Sequence, residues 1–366
     1  MYKIMTPGPT QVAENVRMAR SWECTNPDLD ESFVEFYKNT CDTISDCLHT
    51  DHETIILDGE GILALEAACA SLIEPGDRVL VLDNGIYGAG FADFVTMYGG
   101  VAELYTRPAD KPLDPEELKG YLAEHHDYKI ATLVHCDTPS AMLNDAAALC
   151  SILKSYGILT IVDAVSSMFG EPVDPADMDI LCGGSQKAIS APPGLSFVVL
   201  SPDAKAKINA RKTSIPSFYA NLKVFFTYYE DKWFPYTMPI SDIYGLAQAM
   251  ENIKKDVALY QRHADCASYA RDRIRSMGLT LYPTEGYSNT VTSFCVPEGI
   301  TDKEILGAML ADYNIMLAGS FGTFGGKLIR IGHMGTNATM ENITETLDAL
   351  EDVLRHLQLK GQENRT

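Results

Sequence analysis

Two hydrophobic periods alternate along most of this chain. Short apolar runs of strand length recur at 54–58, 78–82, 101–105, 130–135, 157–162, 178–182 and 195–200. Helical patterns lie between many of them, at about 31–48, 62–73, 91–98, 114–124 and 144–156. In the first of these, Phe33, Phe36, Tyr37, Ile44 and Leu48 share one face, behind a capping stretch from Asn26 to Asp30. Such alternation predicts a mainly parallel sheet wrapped by helices, an α/β class. From Asp242 to Met277 the apolar spacing is helical, and Gly278 ends it. Beyond it, strand candidates at 291–296, 315–317 and 328–331 and helices at 301–313 and 340–359 describe a smaller α+β unit.

Several polar residues fall where those strands end. Asp163 closes the run at 157–162, and Gly183-Gly184-Ser185-Gln186-Lys187 closes the run at 178–182. In open α/β sheets, ligands bind at the carboxyl ends of strands. Taken singly, an aspartate after a strand is usually a cap or turn residue, and a lysine in a glycine-serine loop is usually solvated. Together they match the needs of pyridoxal 5′-phosphate. A lysine amine anchors its aldehyde as a Schiff base, and an acid sustains the protonated pyridine nitrogen. The turn Ala191-Pro192-Pro193-Gly194 would fix the direction of Lys187.

The segments VDAVSS at 162–167 and GSQKAISAPPGLSF at 184–197 resemble the class V aminotransferases of PLP fold type I. Within that class the chain is similar to the alanine–glyoxylate and serine–pyruvate group, from Thr6-Pro7-Gly8-Pro9-Thr10 to the RIGHMG segment at 330–335. The resemblance implies an N-terminal arm (1–15), a large doubly wound PLP-binding domain (16–245) and a small α+β C-terminal domain (246–366). It implies Lys187 as Schiff-base anchor and proton shuttle and Asp163 as partner of the pyridine nitrogen. Tyr87 and Val165 would lie on opposite faces of the ring, with the Thr138 hydroxyl at the cofactor. Gly8 would contact substrate through its main chain, and Arg330 would bind the substrate carboxylate, as its planar fork allows.

For the phosphate, the resemblance implies backbone N–H groups of Gly61 and Ile62, Gln186, and Thr237 of a partner subunit. A glycine turn at a helix start suits an anion by itself. Glu60 stands where the group often has a small hydroxyl residue. A carboxylate would repel a phosphate, so its side chain is expected to point elsewhere. Phe234 stands where many relatives offer a tyrosine hydroxyl; either that bond is missing or Tyr236 supplies it.

Bulk properties narrow the partners. The chain has 366 residues, 46% of them hydrophobic, enough for two substantial cores. A formal charge of −21 argues against nucleic acid or an anionic membrane. Nine dispersed cysteines without a Cys-x-x-Cys pair suit free thiols in a reducing cytoplasm rather than a metal site. Neither a secretory leader nor an apolar run of membrane-spanning length is read.

The expected reaction is ping-pong amino transfer from alanine or serine to glyoxylate or pyruvate, in a homodimer with shared active sites. Relatives acting on ureidoglycine or 2-aminoethylphosphonate are alternatives. A cysteine desulfurase would need a mobile cysteine, and 312–330 holds none. An NAD oxidoreductase would use Gly59-x-Gly61-x-x-Ala64 with Asp83 as the acidic residue. A PLP-binding protein without catalysis is disfavoured by the joint presence of Lys187, Asp163 and Arg330.

Overall fold

In the computed structural model, which describes residues 2–363, seven strands form the central sheet. They are β1 (Glu53–Asp58), β2 (Arg78–Asp83), β3 (Val101–Thr106), β4 (Ile130–Val134), β5 (Leu159–Asp163), β6 (Ile180–Gly184) and β7 (Leu195–Leu200). Their order is β1-β7-β6-β5-β4-β2-β3. Only β7 runs against its neighbours; the other six point the same way. Every residue of β4, β6 and β7 is buried, which is why those segments read as unbroken apolar runs. Edge strand β3 buries only Tyr105.

The helix Gly61–Leu72 packs on β6 and β7. Its buried face is built from Ala64, Ala67, Ala68 and Ala70, so it sits close to the sheet. This brings its N-terminus to the ends of β5 and β6, where Asp163 and Lys187 emerge. The strand order also removes the dinucleotide reading. That motif needs β1 and β2 in one βαβ unit, as adjacent parallel strands. Here β1 is an edge strand paired with antiparallel β7, and four strands lie between it and β2.

The segment from Asp242 onward is two helices, Ile240–Lys255 and Leu259–Ser276. The Asp256 carboxylate accepts from the N–H of Ala258 at the break. Ile243, Leu246 and Met250 belong to the first apolar core, and Cys266, Ala270 and Ile274 to a second. We propose that the domain boundary lies at this break. The second core lies under a three-stranded antiparallel sheet of Val291–Cys295, Leu328–Gly332 and Ala318–Gly319, with helices Asp302–Tyr313 and Met340–Glu363. The N-terminal arm joins it: Lys3–Ile4 pairs in parallel with Ile315–Met316, and Met5 is buried there.

Candidate active site

A cavity of about 270 Å³ opens at the carboxyl ends of β5 and β6. Nine of the expected site residues line it: Gly8, Gly61, Ile62, Tyr87, Thr138, Asp163, Val165, Gln186 and Lys187. Arg330 and Thr237 are not among the lining residues. Thr237 Oγ1 donates to Asp28 at 2.9 Å on the exposed surface.

Asp163 ends β5 and is buried. Its Oδ1 accepts from the N–H of Val165 at 2.9 Å. Burial pushes its pKa up to about 7; the Val165 N–H and the Lys187 charge pull the other way, while Asp137 and Glu60 add to the rise. Lys187 follows β6 in a loop held by its own hydrogen bonds. Ser185 Oγ donates to the carbonyl of Pro192 at 2.7 Å, and the N–H of Ser190 to the carbonyl of Lys187 at 2.9 Å. Lys187 Nζ donates to the carbonyl of Pro7 at 2.7 Å. Burial draws its pKa down to about 8, helped by the charge of Arg330 and opposed by Asp163.

The arm closes one wall. A Cβ at Gly8, whose φ is +101°, would lie 2.3 Å from Lys187 Cδ and 2.6 Å from its Nζ. Only glycine fits there. Thr10 fastens the same segment: its N–H donates to the carbonyl of Gln186 and its hydroxyl to that of Lys187, both at 3.0 Å.

Tyr87 lies in the first turn of the helix Ile86–Met97, which begins several residues earlier than its apolar pattern suggested. Its N–H donates to Asp137 Oδ1 at 3.0 Å. Asp137 also accepts from the Ser140 hydroxyl at 2.7 Å, so this buried carboxylate ties two strand-exit loops together. On the other side Val165 packs toward Gly61 and Gly184, where a Cβ would come within 2.8 and 3.0 Å of it.

Arg330, on Leu328–Gly332, is nearly buried. Its Nε and Nη2 both donate to the carbonyl of Gly319, at 2.9 and 2.6 Å. The guanidinium stands 5.6 Å from the ring centre of Phe321, which lies edge-to-face with Tyr87 at 6.1 Å between ring centres. Two donors are thus used for aim, and the remaining N–H groups stay free for an anion. His135 and His333 are buried beside the site, and burial lowers their pKa values to about 4 and about 3. Both are hydrogen-bonded within the fold, His135 to Ser167 and His333 to Thr292 and Asn289.

One expectation is overturned. Glu60 does not point away. Its Oε1 accepts from the N–H of Ile62 at 3.2 Å and its Oε2 from Gln186 Nε2 at 3.1 Å. A side chain at the N-cap finds the orphan N–H groups of the helix nearest to hand. Two of the donors expected for a phosphate, the Ile62 N–H and Gln186 Nε2, therefore already hold a carboxylate. The amine of Lys187 and the acid of Asp163 fit an aldehyde and a pyridine nitrogen; the phosphate end does not fit. Asp137, Phe321 and the Pro7 carbonyl were not foreseen. Only the Pro-Gly-Pro character of the arm marked the last of them.

A transferase of PLP fold type I is the class that this sheet and site define. Residues 14–345 match the family described as Aminotransferase class-V, and the chain belongs to that family of PLP-dependent transaminases. It is 33% identical to the pyridoxamine–pyruvate transaminase of Mesorhizobium japonicum, over 85% of this chain and 81% of that one. It is 32% identical to the alanine–glyoxylate aminotransferase of Callithrix jacchus, over 84% and 76%. The crystal structure of ureidoglycine–glyoxylate aminotransferase from Bacillus subtilis superimposes with a TM-score of 0.94, at 27% identity, over 98% and 94%.

Proposed function

We propose that this transaminase moves an amino group from a small amino acid of the alanine or serine type to a small 2-oxo acid, glyoxylate or pyruvate, in two successive half-reactions. One observation carries the reading: an amine with its pKa drawn to about 8 and an acid with its pKa raised to about 7 line the same cavity, and the charge of Arg330 reaches that amine. The B6 group, when bound, supplies the electron-accepting ring that makes the substrate C–H acidic.

Each residue has a role in this proposal. Lys187 Nζ would anchor the aldehyde and, once released, carry a proton as a base with its pKa drawn down to about 8. Asp163 keeps the ring nitrogen protonated. Tyr87 and Val165 hold the ring between them, and Thr138 offers a hydroxyl at its edge. Arg330 would grip the substrate carboxylate with its free N–H groups, and Gly8 would meet the substrate through its main chain. Gly61, Ile62, Gln186 and the Thr237 of a second copy surround the 5′ end of the group. A homodimer is supported by the exposed rings of Phe218, Tyr219 and Trp233. A reducing compartment such as the cytoplasm is supported by nine unpaired cysteines.

A second reading has its own support. The Mesorhizobium relative is named for pyridoxamine, a B6 amine without phosphate, and Glu60 holds two of the donors expected for a phosphate. Pyridoxamine would then be the amino donor and pyruvate the acceptor.

Absorption spectroscopy tests the core of the proposal. Protein carrying the B6 aldehyde should lose its visible band when alanine or serine is added and regain it with glyoxylate or pyruvate. A band unmoved by any small amino acid or 2-oxo acid would refute it.

A further inference from the structure

We propose that Glu60 makes this cavity selective for vitamin B6 compounds whose 5′ carbon bears a free hydroxyl, and that the B6 compound is a reactant that enters and leaves. The proposal rests on the second reading above, with pyridoxamine as donor, and on the roles given there to Lys187 and Asp163.

Three observations meet at the 5′ end. First, Glu60 bridges Ile62 N–H and Gln186 Nε2, so one carboxylate takes two of the donors expected for a phosphate. Second, Gln186 is buried, and its Oε1 has no hydrogen-bond partner although Gln186 lines the cavity. A phosphate dianion only accepts hydrogen bonds and would leave that oxygen unpaired. A primary alcohol donates one proton, which suits either Gln186 Oε1 or the Glu60 carboxylate. Third, Lys187 is the only cationic side chain among the lining residues, against the carboxylates of Glu60 and Asp163. Its amine is committed to the aldehyde, so no lining side chain balances two further negative charges.

Loss of the phosphate anchor changes the kinetic status of the group. The B6 amine would give its nitrogen to a 2-oxo acid, whose oxo oxygen leaves as water on condensation, and a second water would supply the aldehyde oxygen on hydrolysis. Its CH2 carbon is oxidised to an aldehyde while the keto carbon is reduced to an amino carbon, and Lys187 carries the proton between the two carbons. No outside oxidant or reductant enters. The aldehyde then leaves, because little holds it besides Lys187.

The test uses the full-length protein freed of B6 by dialysis. Pyridoxal and pyridoxal phosphate are titrated in parallel, reading the visible band of the lysine adduct, with borohydride trapping and peptide mapping to locate it. Wild type should bind pyridoxal at least about tenfold more tightly than pyridoxal phosphate. Glu60→Ser, which retains an N-cap oxygen, should shift that ratio by about tenfold or more toward the phosphate ester. Glu60→Gln, equal in size but uncharged, should fall between. Tighter binding of the phosphate ester by wild type, or a ratio unmoved in both variants, overturns the role of Glu60. With pyridoxamine and pyruvate, pyridoxal should accumulate in excess over protein; formation of one equivalent at most overturns its role as reactant. If neither aldehyde attaches to Lys187, the underlying assignment of the site fails instead.

Discussion

Lys187 Nζ donates a 2.7 Å hydrogen bond to the carbonyl oxygen of Pro7, 180 positions earlier in the chain. The amine proposed for catalysis is therefore aimed by the N-terminal arm as well as by its own loop. The arm is fixed in turn from the second core, where the N–H of Gly332 donates to the carbonyl of Met5 at 2.8 Å. The three parts of the chain thus meet at one side chain.

Replacing Gly8 tests this meeting point. Gly8→Ala places a methyl within 2.3 Å of Lys187 Cδ at a φ of +101°. The strain should lower stability by about 1–3 kcal/mol. Displacement of the amine should lower kcat about tenfold or more, since small misplacements are costly in catalysis. Thermal unfolding and steady-state transamination measure the two effects; a variant with unchanged kcat would show that the arm does not aim the lysine.

Lys187→Ala should remove the visible adduct band and lower transamination by at least about a hundredfold, the usual scale for a positioned proton carrier. The buried Asp163 should then lose a favourable charge, so its pKa should rise further above about 7. Single-turnover kinetics with added methylamine, which substitutes for the lost amine, should recover part of the rate.

Asp163 carries a pH signature in the B6-free protein. Its folded pKa of about 7 lies above the ordinary aspartate value, because burial disfavours the charge. A raised pKa contributes stability below the unfolded value, and that contribution is lost as the pH rises through about 7. Asp163→Asn does not titrate and keeps an oxygen for the N–H of Val165. Its stability advantage over wild type should therefore widen from pH 5 to pH 8 and then level, with an upper bound of about 4 kcal/mol. Denaturant unfolding at several pH values measures it; a gap independent of pH would contradict the assignment. The same variant should be a poor transaminase at every pH.

Arg330→Lys should act on substrate binding. Lysine cannot keep two hydrogen bonds to Gly319 and still present a fork to a carboxylate. KM for the 2-oxo acid should rise about 10- to 100-fold, as expected for about 1.5–3 kcal/mol of lost charge-assisted bonding, with a smaller change in kcat. Equal loss in kcat alone would argue for a role away from the substrate carboxylate.

Much of the site was legible because its markers are local. The ends of β5 and β6 could be read from apolar runs terminated by Asp163 and by a glycine-rich turn. Tyr87 lines the cavity although its helix starts earlier than its apolar residues suggested. Gly85 and Ile86 carry no helical periodicity, and the N–H of Tyr87 in the first helical turn finds its acceptor in Asp137, 50 positions away. Strand pairing was less legible. The fingerprint at Gly59–Ala64 has the spacing of a dinucleotide site, and only the insertion of four strands between β1 and β2 denies it that role.

Sequence alone determined the alternating architecture, the acid and the amine at two strand exits, and the arginine on a late strand, since each follows from periodicity and turn chemistry within a few residues. Tertiary structure decided the direction of Glu60, the neighbour of the lysine amine and the partner of Arg330. Those depend on which backbone N–H or carbonyl groups are left unsatisfied when distant elements pack, and a carboxylate takes whichever donors the finished fold brings nearest.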